Sequence, residues 1–548
     1  MSSIDEKKSD QSSSIEDPSM VCGCVQDGEE PEQRAGLSGW RLNVLTVGLG
    51  ICVFLSSLDV IIVSTSLTGI AKDLQSFDQS SWVVSSYLIT YFSFLIIWAK
   101  VSDLVGRKPM VLLAMIIFLA FSGGCGGAQT TLQLIVLRAF QGVGGGGTFS
   151  MVPIIVAEMV SPEKYAAYNA LMSFSIALSF LLGPLIGGAI VDHTSWRWIF
   201  YINLPAGAVG VLLVWIAMPG AFPNVSNPSK LWNLPKGLVF RGRIDYPGFG
   251  MLLAASVFLI VAIEEAAVLY TWNDSVVIVL LALAALLLGA FIAWEWFLNH
   301  SNSSRDPVFP WGFFKDRVFA GACLTTMLTG VPFMTLVLEL PGRFQILNNS
   351  SAFDSGVCIL PFTLTIAVAA GMTGGLTARG RVPVFFVFAG AAALQILGVG
   401  LLYTVPADIP LGGRVYGYQI LAGTGVGLTL TAAILLAPSL VDGKGLSVAM
   451  GTITQMRVLG GAVGVSIATN LINSAVQNQL KGQVPSDILQ GIMHDVSSTE
   501  GLEESTQKLI RHAFADGYES QLLMVLGFCA AQVLALVLMW ERPMRRLE

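Results

Sequence analysis

Unbroken runs of apolar residues, many of them about 20 long, constrain this chain more than any other feature. A helix rises about 1.5 Å per residue, so a run of about 20 covers the roughly 30 Å of hydrocarbon in a bilayer. Fourteen such runs, bounded by polar or Gly/Pro-rich breaks, lie near 42–68, 82–101, 110–128, 132–158, 165–190, 196–218, 246–269, 275–298, 317–340, 353–376, 382–404, 414–437, 446–472 and 520–541. With 54% of its 548 residues hydrophobic and 12% charged, the chain has too little polar surface to be soluble. A disordered chain, a collagen, a nucleic-acid binder and a disulfide scaffold are excluded. The expected fold is an all-α polytopic membrane protein with fourteen transmembrane helices.

Charge placement gives an orientation. Residues 1–38 hold nine acidic and three basic side chains, which accounts for the whole net charge of −6. That Ser/Asp/Glu-rich tail lacks an apolar face and the layout of a signal peptide, so it is expected to be disordered, with the first span directing insertion. Cytosolic termini place about 21 Lys and Arg inside and about seven outside, leaving Arg138 and Arg457 within spans. Sequons at Asn348, Asn349 and Asn273 then face outward as glycosylation candidates. The one long outer segment, 473–519, fits either amphipathic helices lying at the surface or a solvated linker.

The chain also repeats itself. Gly142, Gly144 and Gly146 of the fourth span match Gly423, Gly425 and Gly427 of the twelfth, and Gly183 and Gly187 of the fifth match Gly460 and Gly464 of the thirteenth. The pair Gly106 and Arg107 recurs as Gly380 and Arg381. Two pseudo-repeated six-helix bundles plus two inserted linker helices account for this order. The expected division is a cytosolic tail 1–41, a bundle 42–218, a cytosolic loop 219–245, an inserted pair 246–298, a cytosolic loop 299–316, a bundle 317–541 that includes the outer segment, and a tail 542–548. Gly142, Gly144 and Gly147 fit a dinucleotide-binding pattern, but inside a lipid-length run with no preceding strand the match is a decoy. No GxxxxGK[ST] loop occurs, which argues against ATP drive.

Charges inside the spans are the candidate functional groups, since each costs at least roughly 2.5 kcal/mol in hydrocarbon. Asp59 lies about 14 Å below the outer end of its span and Arg138 about 9 Å below the outer end of its own. Their similar depth suggests mutual neutralisation, as a static ion pair or, the favoured reading, as an acid whose protonation frees the arginine. Arg457, beside Gln455 near mid-membrane, has no acid of matching depth and fits either an anionic substrate group or backbone carbonyls. Gln419 on the twelfth span and the adjacent Glu264 and Glu265 on the seventh are further substrate or coupling candidates. Snorkelling to the interface is expected for Glu264, Glu265, Glu295 and Glu339.

Several segments carry a resemblance to a known family. SLDVIIVSTSLTGIAKDL, AKVSDLVGRKPMVL, LIVLRAFQGVGGGG and SFLLGPLIGGAI followed by WRWIFYINLP are similar to motifs of the fourteen-spanner drug:proton antiporters of the major facilitator superfamily, especially fungal toxin and secondary-metabolite efflux pumps. The resemblance runs from about Asn43 to Trp540. It implies proton coupling through Asp59 and Arg138, a cytosolic gating motif at Asp103, Gly106, Arg107 and Lys108, and an antiporter motif at Gly183, Pro184, Gly187 and Gly188. Ala99 and Ser179 stand where those motifs usually have glycine, and LELPGRFQ departs from the aromatic residues usual there. On physical grounds Asp103 and Arg107 could pair across the halves in one state only, and Pro184 with its glycines could bend the fifth span into a tight seam.

The resulting expectation is a secondary transporter rather than an enzyme, without cofactor, metal, ATP or nucleic acid. Its partners are protons, the bilayer and a small amphipathic substrate, mostly uncharged or weakly charged, and it works as a monomer in the cell membrane, with a vacuolar or vesicle membrane as alternatives. Siderophore uptake, vacuolar basic amino acid transport and a non-transporting nutrient sensor are the competing readings.

Overall fold

The computed structural model describes residues 37, 39–74, 81–220, 222, 245–268, 272–301, 307–348, 350, 352–377, 381–406, 412–441, 445–481, 483–484 and 504–546. Among these residues there is no β-strand, as expected where every backbone group in hydrocarbon must be paired within its own helix. Among the described residues thirteen helices are long and apolar enough to span a membrane, and the bent pair Trp82–Ser93 and Leu95–Val105, taken as one span, makes a fourteenth.

In chain order the spans are Trp40–Thr65, Ser81–Ser93 with Leu95–Val105, Arg107–Gly126, Thr131–Met159, Pro162–His193, Asn203–Ala217, Tyr246–Val268, Ser275–His300, Arg317–Asn348, Leu360–Thr377, Val384–Tyr403, Gly413–Leu440, Leu446–Leu480 and Glu504–Leu538. Both ends of the described chain lie at one end of the bundle. There the Leu37 amide donates to the Met159 carbonyl at 2.9 Å, and Arg545 donates to the Ser439 carbonyl at 3.2 Å. We call this the terminal end and its opposite the far end.

The repeat is present in the packing. A methyl group added to Gly142 or Gly146 would strike the carbonyls of Tyr87 and Tyr91 on span 2, and one added to Gly423 or Gly427 would strike those of Phe362 and Ile366 on span 10. Each pair is spaced four apart on both helices, so spans 4 and 12 press the same glycine face onto their neighbours. The glycines of the dinucleotide-like pattern lie inside the Thr131–Met159 helix and form no loop.

The inserted spans differ from one another. Span 8 exposes Leu286, Ile278 and Val279 to its surroundings, whereas span 7 packs against span 2 of the first half and span 13 of the second.

Two expectations need correction. Within the expected outer segment 473–519, the described residues form no separate surface helix: those up to Leu480 continue span 13, and span 14 already begins at Glu504. Ile472, Val476 and Leu480 recur every four residues and bury against Ile510, Phe514 and Tyr518, so the two helices satisfy each other beyond lipid length. Residues 485–503 lie outside the described residues, as do nearly all of the tail 1–41 and the loop 219–245.

The four glutamates expected to snorkel do not do so uniformly. Glu295 is fully buried and accepts the backbone amides of Val308 at 3.0 Å and Phe309 at 3.1 Å, pinning the turn that leads into span 9. Glu265 is also buried, while Glu264 and Glu339 accept from Ser85 at 2.9 Å and Thr469 at 3.4 Å. A carboxylate with a donor within reach has no need to climb to water.

Candidate functional site

Spans 1 and 4 bring Asp59 and Arg138 together, and the two side chains are completely buried. Small residues allow this. The Ser56 hydroxyl donates to the Gly145 carbonyl at 3.1 Å, and a side chain at residue 145 would strike the Tyr87 hydroxyl. One Arg138 nitrogen donates to Asp59 Oδ2 and to Gln141 Oε1, the latter at 2.9 Å, and its Nε donates to the Val83 carbonyl at 3.0 Å.

Gln141 at 2.9 Å and Asn203 at 3.2 Å both donate to Asp59 Oδ1. The guanidinium lies 4.2 Å over the Tyr87 ring. Asp59 is thus held by three donors from spans 4 and 6, while one Arg138 nitrogen, NH2, has no partner. Removing either charge from such a buried pair costs about 3–5 kcal/mol, because the other is left bare.

The matching position in the second half is neutral. The glycine match aligns Arg138 with Gln419, which is fully buried with neither side-chain polar atom hydrogen-bonded. Elsewhere in that half Gln532 donates to Gln395 at 2.8 Å and Gln395 to Thr429 at 3.1 Å.

At the terminal end Arg107 pairs with Asp103 at 2.6 Å and Glu158 at 2.7 Å. Both acids belong to its own half, so the expected pairing of Asp103 and Arg107 across the halves is absent here. What crosses is a hydrogen bond from Arg107 to Ser447 of span 13, at 2.5 Å. Gly106 makes the turn possible, since its φ of 111° is a conformation that only glycine adopts without strain. Lys108 closes the end of span 6 by donating to the carbonyls of Trp215 at 2.7 Å and Met218 at 2.5 Å.

The halves meet closely at this end. Across to the first half, span 13 packs mainly on the Leu95–Val105 piece of span 2, with the Ala99 methyl against Gly451, and span 5 meets span 10 where Ala166 faces Gly374. In the fifth span Gly183 is tight against Ile61, whereas Gly188 faces open space and Gly187 is buried. The helix runs through Pro184 without ending, from Pro162 to His193. Ser179 satisfies its own hydroxyl on the Ile176 carbonyl at 2.6 Å.

Between the halves, at the level of Phe149 and Thr431, lies a cavity bordered by spans 1, 4, 5, 10, 12 and 13. Arg457 projects into it, with its guanidinium carbon 5.0 Å from the Phe149 ring and 6.0 Å from the Phe333 ring. Gln455 instead turns toward the inserted helix, 3.4 Å from the Ser256 hydroxyl. Glu264 reaches span 2 through Ser85, while Ser466 of span 13 donates to the Ile263 carbonyl at 2.6 Å. Span 7 is therefore bonded to both halves.

At the far end Asp73 accepts from Trp196 at 2.8 Å and Arg197 at 2.9 Å, and these two bonds hold its carboxyl below the usual carboxylate range. Of the sequon residues, Asn273 is exposed in the turn between spans 7 and 8, Asn348 ends the ninth span, and Asn349 lies outside the described residues. No group of three or more His, Cys, Asp or Glu suited to a metal ion occurs among the described residues.

Gln141, Asn203 and Glu158 were not singled out from sequence. Each is a polar side chain within or beside an apolar run, which is the signal that marks Asp59 and Arg138, but their partners lie on other helices.

Residues 49–465 match the family model described as Major Facilitator Superfamily. The chain is 38% identical over 515 residues to the MFS-type transporter FPY5 of Fusarium mangiferae, covering 94% of this chain and 86% of that protein. It is 33% identical to the efflux pump hmp6 of Hypomyces subiculosus, over 84% of this chain and 79% of the relative. Among solved structures, a bacterial homologue of the human lysosomal transporter Spinster, inward-facing and unoccupied, aligns with a TM-score of 0.57 at 14% identity, covering 92% of this chain and all of that one. The human organic anion transporter MFSD10 aligns with a TM-score of 0.53 at 14% identity, covering 90% of this chain and all of that one. At such identity these two structures speak to the fold alone.

Proposed function

The chain belongs to the major facilitator superfamily, and from that premise we propose that it is a proton-coupled exporter of a small amphipathic molecule, a toxin or secondary metabolite. The observation that carries the coupling is the buried Asp59–Arg138 pair, held in place by Gln141 and Asn203. Proton binding at Asp59 cancels the charge that Arg138 neutralises, so the pair has two arrangements with different charge and different helix contacts. The efflux pumps among the relatives support the outward direction.

In the proposed orientation both termini are cytosolic and the chain works as a monomer in the plasma membrane. The terminal end, with Arg107 bonded to Ser447, is then the closed cytosolic gate, and its Asp103 and Glu158 hold Arg107 in place to meet Ser447. Opening to the cytosol breaks that bond and parts Ala99 from Gly451. One proton moving inward releases about 2.3 kcal/mol per 100 mV, plus about 1.4 kcal/mol per pH unit, enough for a substrate ratio of a few hundredfold.

The test is a drug-sensitive fungal host expressing the chain and challenged with a panel of amphipathic toxins. Export predicts resistance to at least one toxin that is lost in Asp59→Asn at equal protein level. Sensitisation would instead favour uptake, and resistance retained by Asp59→Asn would remove the proposed coupling site.

A further inference from the structure

The two arginines inside the membrane are held in opposite ways. Arg138 donates to a carboxylate, an amide oxygen and a carbonyl. Arg457 has no carboxylate within ion-pair distance among the described residues, and its neighbours in the cavity are apolar, aromatic or neutral polar groups. Two rings from opposite halves, Phe149 and Phe333, flank the guanidinium. Asn169 and Thr431, also from opposite halves, lie on the cavity wall at a weak mutual contact of 3.4 Å, each free to turn toward a ligand. The cavity therefore carries one positive charge and no negative one.

We propose that the cavity, whose accessible space is only about 50 Å³ in this arrangement, opens as the halves part into a binding site for an amphipathic organic monoanion, a carboxylate or an acidic enol or phenol on an apolar body, with Arg457 as its counter-ion. The planar guanidinium presents paired donors that match a carboxylate, which an ammonium does not. Phe149 and Phe333 take the apolar body, and Asn169 and Thr431 bond its polar substituents. An uncompensated cation in a low-dielectric cavity disfavours cationic ligands and leaves neutral ones unrewarded. This narrows the mostly uncharged substrate expected from composition alone to an anionic one.

Direction of movement rests on the export reading, but anion binding does not. If one proton is exchanged for one monoanion, two elementary charges cross inward per cycle. The logarithm of the substrate ratio then responds to membrane potential twice as steeply as for a neutral substrate.

The experiment uses the purified full-length chain and three dansyl probes that differ in charge: dansylglycine, dansylamide and dansylcadaverine. Binding is followed by dansyl fluorescence at neutral pH. Dansylglycine is expected to bind at least about tenfold more tightly than either other probe. Arg457→Gln abolishes that preference, and Arg457→Lys keeps part of it because the charge remains while the fork is lost. Thermal unfolding and elution profiles verify that each variant is folded, and Phe149→Leu, which keeps the charge, should weaken all three probes alike.

Equal affinity for the three probes, anion preference retained in Arg457→Gln, or no saturable dansylglycine binding up to about 1 mM overturns the proposal. Asp59→Asn separates this outcome from the coupling mechanism: it keeps the anion preference even where proton movement is lost.

Discussion

The two six-helix halves share a packing scheme and differ in what they bury with it. Spans 4 and 12 press equivalent glycines onto equivalent carbonyls, yet the first half encloses an ion pair where the second encloses Gln419 without a partner. The backbone arrangement is thus kept by the glycines in both halves, while the chemistry is free to diverge in the side chains between them. The first half's core holds a carboxylate and a guanidinium, whereas Gln419, Gln395 and Gln532 carry no ionisable group. The seam between the halves adds a third environment, where Arg457 faces a cavity rather than a partner.

The largest expected effect breaks the packing similarity. Gly142→Leu and Gly423→Leu both force a side chain onto a neighbouring backbone, so each should cost more than the roughly 1–3 kcal/mol typical of overpacking and abolish folded protein in size-exclusion chromatography. Gly188→Ala, facing open space, should leave the elution profile unchanged. Loss of folding in Gly188→Ala, or tolerance at Gly142 and Gly423, would contradict the packing scheme.

The next prediction sharpens the chemical difference. Arg138→Ala leaves a bare buried carboxylate and should destabilise by about 3–5 kcal/mol, while Gln419→Leu removes an unsatisfied amide and should be neutral or stabilising. Thermal unfolding in detergent reads both. A smaller effect lies at the terminal end, where Ser447→Ala removes the hydrogen bond from Arg107 to the other half but leaves Asp103 and Glu158 on it. Cysteine pairs across Ala99 and Gly451 should then cross-link less, with unfolding temperature little changed.

The smallest concerns Asp73 at the exposed far end. Its bonds to Trp196 and Arg197 lower its carboxyl below the unfolded value, so their contribution is fully present above that value and fades as pH falls through the folded one. Asp73→Asn should flatten the loss of stability toward acid slightly, and a steeper loss would reverse the assignment.

Much of this was legible from the sequence because hydrocarbon permits few solutions. Lipid-length runs read as spans, and the fixed rise of a helix placed Asp59 and Arg138 at similar depth before any packing was known. The glycine repeat was legible because close helix approach requires small residues at fixed spacing. Partners supplied by other helices were not: Glu158 beside Arg107, and Asn203 and Gln141 on Asp59, depend on helix rotation that no single run encodes. The far-end extensions of spans 13 and 14 were missed because their apolar stripe is narrow and interrupted by polar residues, so it reads as a surface helix until the matching stripe of the other helix is found. Glu295 was misread for a related reason, since its partners are backbone amides that carry no side-chain signature.

The central claim is that the first half's buried pair is the proton-coupling site, and proton movement tests it most directly. Inside-out vesicles with an acidified lumen are given the toxin to which the chain confers resistance, and a pH-gradient dye reports proton exit. Toxin-dependent loss of the gradient is expected with the wild-type chain and with Gln419→Leu, and none with folded Asp59→Asn. Toxin-dependent proton movement persisting in Asp59→Asn would contradict it.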